Sequence, residues 1–340
     1  MKGNRRKIIM QALLLLFLIA GTVYIASRER NTPYQHDTGM VFGTTYSIIY
    51  KYDKSLHTEI RAEMKKVDDA LSTFNPTSII SLVNSGQQHH TNKMFDTVFE
   101  LAERISKDTD GAFDITVAPL VNVWGFGFKS GNMPGKAQVD SLLALVGYDK
   151  VSLKDGKVQK TDPRVMIDCS AIAKGYGCDV VASLLHSKGI ENFMVEIGGE
   201  VITRGVSEKN AAWKIGVAKP TDDSLNTNKE IQTILRLNNS AMATSGNYRN
   251  FYYKGGKKYA HTIDPRTGYP VQHSLLSATV IADNCATADA YATSFMVMGK
   301  TKAIELLRSH DRLMAYLIYC DDKGQLQVWC SDKLKGKMDR

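Results

Sequence analysis

The chain has 340 residues, 43% of them hydrophobic and 23% charged, with a formal net charge of +8. That is a globular composition with room for one large domain or two ordinary ones, and it excludes wholesale disorder. Six basic residues against Glu29 fill the first thirty positions, and four against Asp332 and Asp339 fill the last ten. The body between is close to neutral, so no basic face for a nucleic acid is expected.

In chain order, "MKGNRRK" precedes a mostly apolar run from Ile8 to Ala26, interrupted mainly by Gln11 and Thr22. The run lies between a signal-peptide core and a full membrane span in length. Cleavage after Ala26 would put Tyr24 at the −3 position, which suits a signal peptidase poorly, and no Cys follows to carry a lipid. Residues 1–30 are therefore expected to be an uncleaved membrane anchor in preference to a cleaved signal segment. The basic cluster stays cytoplasmic and the body lies on the extracytoplasmic, periplasmic side. "RERNTPYQHDTG" reads as a loop behind it.

"GMVFGTTYSIIYKY" alternates like a strand. Ile60, Met64, Val67, Leu71 and Phe74 recur at helical spacing, as do Met94, Val98, Leu101 and Ile105. Leu142, Leu143 and Val146 suggest a third helix stopped by Gly147, and "KVSLKDGKVQK" a hairpin turning at Asp155-Gly156. A fourth helix is expected from about Ala171 to Lys188, closed by Gly189. Strands then dominate: "NFMVEIGGEVITRG", "WKIGVAKP", "EIQTILRL", "AMATSG", a hairpin at Gly255-Gly256 and "LLSATVIA". Two helices, about Ala286 to Val297 and Lys302 to Ser309, precede a closing hairpin. The class is α+β, mixed sheets with packed helices in a single two-lobed domain at 37–335.

Five cysteines leave at least one thiol free, and their spacing offers no C-x-x-C metal pair. A four-residue turn in "CDDKGQLQVWC" would set Cys320 against Gln325 and Cys330 against Ala315, so no bridge is expected between them. The cysteines read as mostly buried small hydrophobes.

Four loops combine glycine, carboxylates and hydroxyls beyond what packing requires. "GAFDITVAPL" carries Asp114. In "IDCSAIAKGYG", Asp168 ends a strand and Lys174 opens a helix whose N-terminus suits phosphate. In "ATSGNYRNFY", Ser245 and Gly246 form a turn beside Arg249, and "HTIDPRTGYP" holds His261, Asp264 and Arg266. Each has an ordinary alternative, as a helix cap, a plain turn or a surface histidine; it is their combination that points to a site. In "CATADAYATSF", Asp289 and Thr293 share one helical face among alanines. A carboxylate, a hydroxyl and a carbonyl are the few oxygen ligands Mg²⁺ takes beside phosphate and water. No P-loop or kinase motif set is present. A phosphorylated substrate held outside a P-loop is expected.

"FGTTYSI", "LSTFNPTSIISLVN", "GAFDITVAPLVNVWGFG", "IDCSAIAKGYG", "VEIGGEV", "TSGNYRNFY", "HTIDPRTGYPV" and "ATADAYATSFMVMG" resemble, in this order, the motifs of the ApbE family, the FAD:protein FMN transferases. The resemblance runs over about residues 39–330. It implies an ApbE-like domain that binds FAD as substrate with Mg²⁺. Such a domain moves FMN onto a Thr or Ser hydroxyl of a partner protein as a phosphoester and releases AMP. By motif it implies FAD contacts at Phe42, Phe74, Ala112, Phe113, Asp114, Asp168, Lys174 and Ile263. It implies a metal held by Asp289, Thr293 and the Ala171 carbonyl, with His261 assisting proton transfer. Many relatives carry Met at Phe42 and Tyr at Phe74, changes that keep an apolar or aromatic surface; some carry a second acid at Ala292, whose absence implies a weaker metal site here. The implied partners are acceptor subunits of membrane redox complexes of the NADH:quinone reductase or Rnf type. A Mg²⁺-dependent FAD pyrophosphatase and a non-catalytic flavin-binding membrane protein are the alternatives.

Overall fold

A computed structural model describes residues 2–87, 90–126, 133–220, 230–247, 251–254 and 257–339. Its elements in chain order are α1 (Lys2–Asn31), β1 (Tyr34–Val41), β2 (Thr44–Lys51), α2 (His57–Leu71), α3 (Ile79–Asn84) and α4 (Lys93–Asp108). Next come α5 (Ala118–Val123), α6 (Lys136–Leu143), β3 (Val151–Lys154), β4 (Lys157–Lys160), α7 (Ala173–Ser187), β5 (Phe193–Ile197) and β6 (Glu200–Arg204). They are followed by β7 (Trp213–Ala218), β8 (Ile231–Leu237), β9 (Ser240–Gly246), β10 (Phe251–Lys254), β11 (Lys257–Ala260) and β12 (Leu275–Ala282). The chain closes with α8 (Cys285–Ser309), β13 (Met314–Cys320), β14 (Leu326–Cys330) and α9 (Asp332–Lys335).

Eight strands form one antiparallel sheet in the order β1-β2-β5-β6-β9-β12-β13-β14. Period-two alternation gives it two apolar faces. Val195, Ile197, Ala243, Val280 and Leu317 face a core shared with α2, α4, α7 and α8. Val201, Met242, Ile281, Tyr316 and Ile318 face the opposite way, under the β7–β8 hairpin and Leu334 of α9. Being covered on both sides, the sheet is a rigid platform for the helices that carry chemistry. The expected α+β class holds, and the chain is a single domain.

Local expectations are corrected at several points. The first predicted strand is a hairpin: Phe42 (φ 50°) and Gly43 (φ 73°) make a two-residue left-handed turn between β1 and β2. "YQHDTG" is strand β1, not loop, because its edge pairs with β2 from Tyr34 onward. "NFMVEIGGEVITRG" is likewise two strands, turned at Gly198-Gly199. Phe74 lies beyond the end of α2, and α6 ends at Leu143, before Val146. The Asp155-Gly156 hairpin stands as predicted, and the two expected terminal helices are the two parts of α8, separated by a kink at Gly299 (φ 76°). The closing turn is one residue longer than predicted, pairing Cys320 with Leu326 and Cys330 with Tyr316. All five cysteines are free, and Cys169, Cys178 and Cys285 are buried.

Described side chains of α1 cover Lys7 and residues 9–22 only, and those from Ile9 to Ile19 are exposed. Among the described residues no helix is long and apolar enough to cross a membrane. The predicted Gly255-Gly256 turn lies outside the described residues.

Helices α7 and α8 cross unusually closely. A β-carbon added at Gly175 would lie 2.7 Å from the Cys285 carbonyl carbon and 2.9 Å from the Ala286 Cα. Backbone meets backbone there, so neither side can yield by a rotamer change. Replacing Gly175 with Ala is expected to destabilise the fold by about 1–3 kcal/mol in urea unfolding; an unchanged midpoint would contradict the crossing.

Candidate active site

The α7–α8 crossing sets a carboxylate and an ammonium beside each other at the bottom of a cleft of about 720 Å³. Asp289, 5% exposed, accepts the Gly175 backbone N–H at 3.1 Å through Oδ2. Lys174, in the first turn of α7, donates to Glu200 Oε1 at 2.6 Å. Glu200 opens β6 just after the Gly198-Gly199 turn, is 2% exposed, and leaves Oε2 buried without a partner. Burial pushes Asp289 above the usual carboxylate range, against the pull of Lys174 and the Gly175 N–H. Burial and then the charge of Asp289 raise Glu200, with Lys174 opposing. For Lys174 burial disfavours the charge, but Asp289 and then Glu200 outweigh it and hold the ammonium above the ordinary lysine range. Two acids and one base share a space where ion–ion forces are weakly screened.

The start of α8 is fixed from α7. Asp179 accepts the Cys285 N–H (2.7 Å) and the Ala286 N–H (2.8 Å), while Asn284 accepts from Thr287. These caps satisfy orphan donors of the first turn and fix the axis that carries Asp289 and Thr293. Thr293 Oγ1 lies 3.5 Å from Ser245 Oγ on β9, and both line the cleft.

The loop walls are pinned by backbone bonds. Asp168 N–H donates to the Ile115 carbonyl (2.7 Å), and Asn84 clamps Ile167 through both its N–H and its carbonyl at 2.8 Å. Asp114, buried, accepts from the backbone and hydroxyl of Thr116, whose hydroxyl in turn accepts from Gly147 N–H at 2.8 Å. Burial raises its pKa against these bonds. The "DPRTG" segment is the expected turn: Gly268 N–H donates to the Asp264 carbonyl at 2.8 Å, and Arg266 grips both Asp264 carboxylate oxygens. His261 lines the cleft edge-on to Phe126, ring centres 6.4 Å apart.

The donors on α8 and beside α7 are one carboxylate, hydroxyls and backbone carbonyls, a set for a hard cation and not for zinc. Among the described residues no three His, Cys, Asp or Glu converge, so any cation would meet few protein charges. Oxygen ligands of that kind, an ammonium and a helix N-terminus in one cleft suit the phosphates of a large ligand.

The sequence profile of the ApbE family matches residues 42–318. The chain belongs to the ApbE family. The FAD:protein FMN transferase of Haemophilus influenzae is 37% identical over 326 residues, covering 91% of this chain and 93% of its own length. That of Escherichia coli K12 is 33% identical over 294 residues, covering 84% and 82%. Among solved structures, the flavin transferase ApbE from Vibrio cholerae superposes with a TM-score of 0.80 at 34% identity, over 90% of this chain and 99% of that one. The apo flavinyl transferase ApbE of Pseudomonas stutzeri gives 0.80 at 28% identity, over 90% and 96%.

Within this ApbE chain, Phe74, Ala112, Phe113, Asp114, Asp168, Ala171, Lys174, His261, Ile263, Asp289 and Thr293 all line the one cleft. Phe74 stands 76% exposed at its rim. Phe42 is not among the lining residues; its ring lies against α7, where a β-carbon at Gly177 would come within 2.6 Å of it. Asp168 lies in a segment without regular secondary structure and not at the end of a strand, and Ser245 and Gly246 end strand β9 instead of forming a turn. Arg249 lies outside the described residues. Sequence reasoning missed Glu200 and Asp179. The signal for Glu200 was an acid two residues before Ile202, on the same helix-facing side of β6. Asp179 carried no signal, since an acid in mid-helix ordinarily faces solvent.

Proposed function

We propose that the chain transfers the FMN half of FAD to a Ser or Thr hydroxyl of a partner protein, with Mg²⁺ bound beside Asp289. One observation carries this reading: the Asp289–Thr293 face, Lys174, the α7 N-terminus and His261 all open into a single cleft. The curated names of relatives covering nine-tenths of the chain support the same activity.

In the reaction, the acceptor oxygen forms a bond to the FMN-side phosphorus of the FAD pyrophosphate. The bond from that phosphorus to the bridging oxygen breaks, and AMP leaves with the electron pair. The hydroxyl proton passes to a ring nitrogen of His261, the general base of this scheme. Lys174 binds pyrophosphate oxygens and, with the positive end of the α7 dipole, stabilises charge on the departing phosphate. Asp289, the Thr293 hydroxyl and the Ala171 carbonyl would hold the cation, which supplies charge neutralisation and orients the phosphates. The buried wall of Ala112, Phe113 and Ile263 offers an apolar surface to a flavin or adenine ring, and Phe74 a second one at the rim.

A pyrophosphatase would share every one of these groups and use water as the acceptor; a carrier would bind FAD and leave it whole. Incubation with FAD, Mg²⁺ and an acceptor segment, with AMP and flavinylated protein measured separately, distinguishes the three. Equal amounts of both products are expected. AMP without flavinylated protein means hydrolysis, and neither product means a carrier. Asp289→Ala is expected to lower transfer by at least about 100-fold with an intact circular-dichroism spectrum. Wild-type rates at equal Mg²⁺ would refute the cation assignment.

We also propose that residues 1–30 hold the domain to the outer face of the cytoplasmic membrane, near acceptor subunits of membrane redox complexes. The exposed apolar side chains from Ile9 to Ile19 support it. N-terminal sequencing of the membrane fraction is expected to begin at or near Met1; a start after Ala26 would mean cleavage.

A further inference from the structure

Glu200 has no part in the reaction as written, yet it is among the most buried acids of the chain. We propose that Glu200 is a positioning residue that holds the Lys174 ammonium off Asp289 and so keeps that carboxylate open to a cation. This rests on the cation reading above and goes beyond it.

Lys174 and Gly175 are adjacent, and Gly175 N–H is bonded to Asp289. Asp289 and Glu200 both attract the Lys174 ammonium, and a lysine one residue from Gly175 is placed to close on Asp289. It pairs instead with Glu200 Oε1 at 2.6 Å, and no ion pair joins it to Asp289 among the described residues.

The geometry that enforces this choice is in the β5–β6 turn. Gly198 (φ 64°) and Gly199 (φ 102°) take conformations other residues rarely adopt, and Glu196 Oε1 accepts the Gly199 N–H at 2.7 Å. A β-carbon at Gly198 would lie 3.3 Å from Lys174 Cδ, so the turn backs directly onto the lysine stem. Glu196 also faces Lys174 from the same hairpin, and Cys178 from its own helix.

Stability does not account for the arrangement. Glu200 Oε2 is buried without a partner, and a buried acceptor left unpaired is a liability to the fold. A carboxylate kept at that cost beside a substrate cleft serves the lysine. Without it, the ammonium is left with Asp289 and Glu196, and on closing against Asp289 it would compete with a metal for that carboxylate.

The test is a double-mutant cycle read by direct ion binding and not by turnover: Mn²⁺ titrated into the FAD-free full chain, with the free-ion signal followed by electron paramagnetic resonance. Glu200→Gln is expected to weaken Mn²⁺ binding about tenfold. Lys174→Met is expected to change it less than about threefold in the wild-type background and to restore most of the tenfold loss in the Glu200→Gln background. Unchanged binding by Glu200→Gln, or an equal effect of Lys174→Met in both backgrounds, overturns the inference while leaving the cation reading intact. Wild-type binding by Asp289→Asn overturns the cation reading and this inference with it. Should Glu200→Gln fail to fold, Glu200→Asp, one methylene too short to keep the 2.6 Å contact, enters the same cycle.

Discussion

The backbone contact between α7 and α8 is the constraint on which the rest of the molecule depends. Only a residue without a side chain fits at 175, and the closeness it permits lets the Gly175 N–H reach Asp289 while Asp179 reaches back to cap α8. Two helices far apart in sequence thereby share a rigid joint. The sheet beneath, covered on both faces, keeps that joint in place. An acid on one helix and a lysine on the other are held where they were built, without large side-chain motions.

The electrostatics of the joint follow from its burial. Two acids and one ammonium share a poorly solvated space, and burial displaces the pKa values of both acids upward. A cation held there, as proposed above, would relieve the repulsion between the two acids. The loops around the cleft are pinned by hydrogen bonds of Asn84, Asp114 and Asp264.

Much of this was legible in the sequence, for physical reasons that differ by element. The Asp289–Thr293 pair stood out because a carboxylate amid alanines has no packing purpose, and Lys174-Gly175 because a lysine and a glycine open a helix after a polar loop. Amphipathic periodicity found α2 and α4, and the "DPRTG" turn carried its own chemistry. Periodicity could not say that Phe42 sits in a left-handed turn, since that depends on β1 pairing back on β2. It could not reveal the sheet order, in which β6 lies beside β9 across an intervening hairpin. Glu200 was missed for the same cause: only the fold brings the start of β6 against the first turn of α7. The family resemblance implies roles for single residues; the fold gives those residues their neighbours.

A crystal structure of the full chain with FAD and Mg²⁺ tests the central claim most directly. The account predicts a metal about 2.0–2.1 Å from an Asp289 oxygen, the Thr293 hydroxyl and the Ala171 carbonyl, with the FAD pyrophosphate against Lys174. Ligand density in the cleft with no ion at Asp289, or with that carboxylate turned from the pyrophosphate, would contradict it.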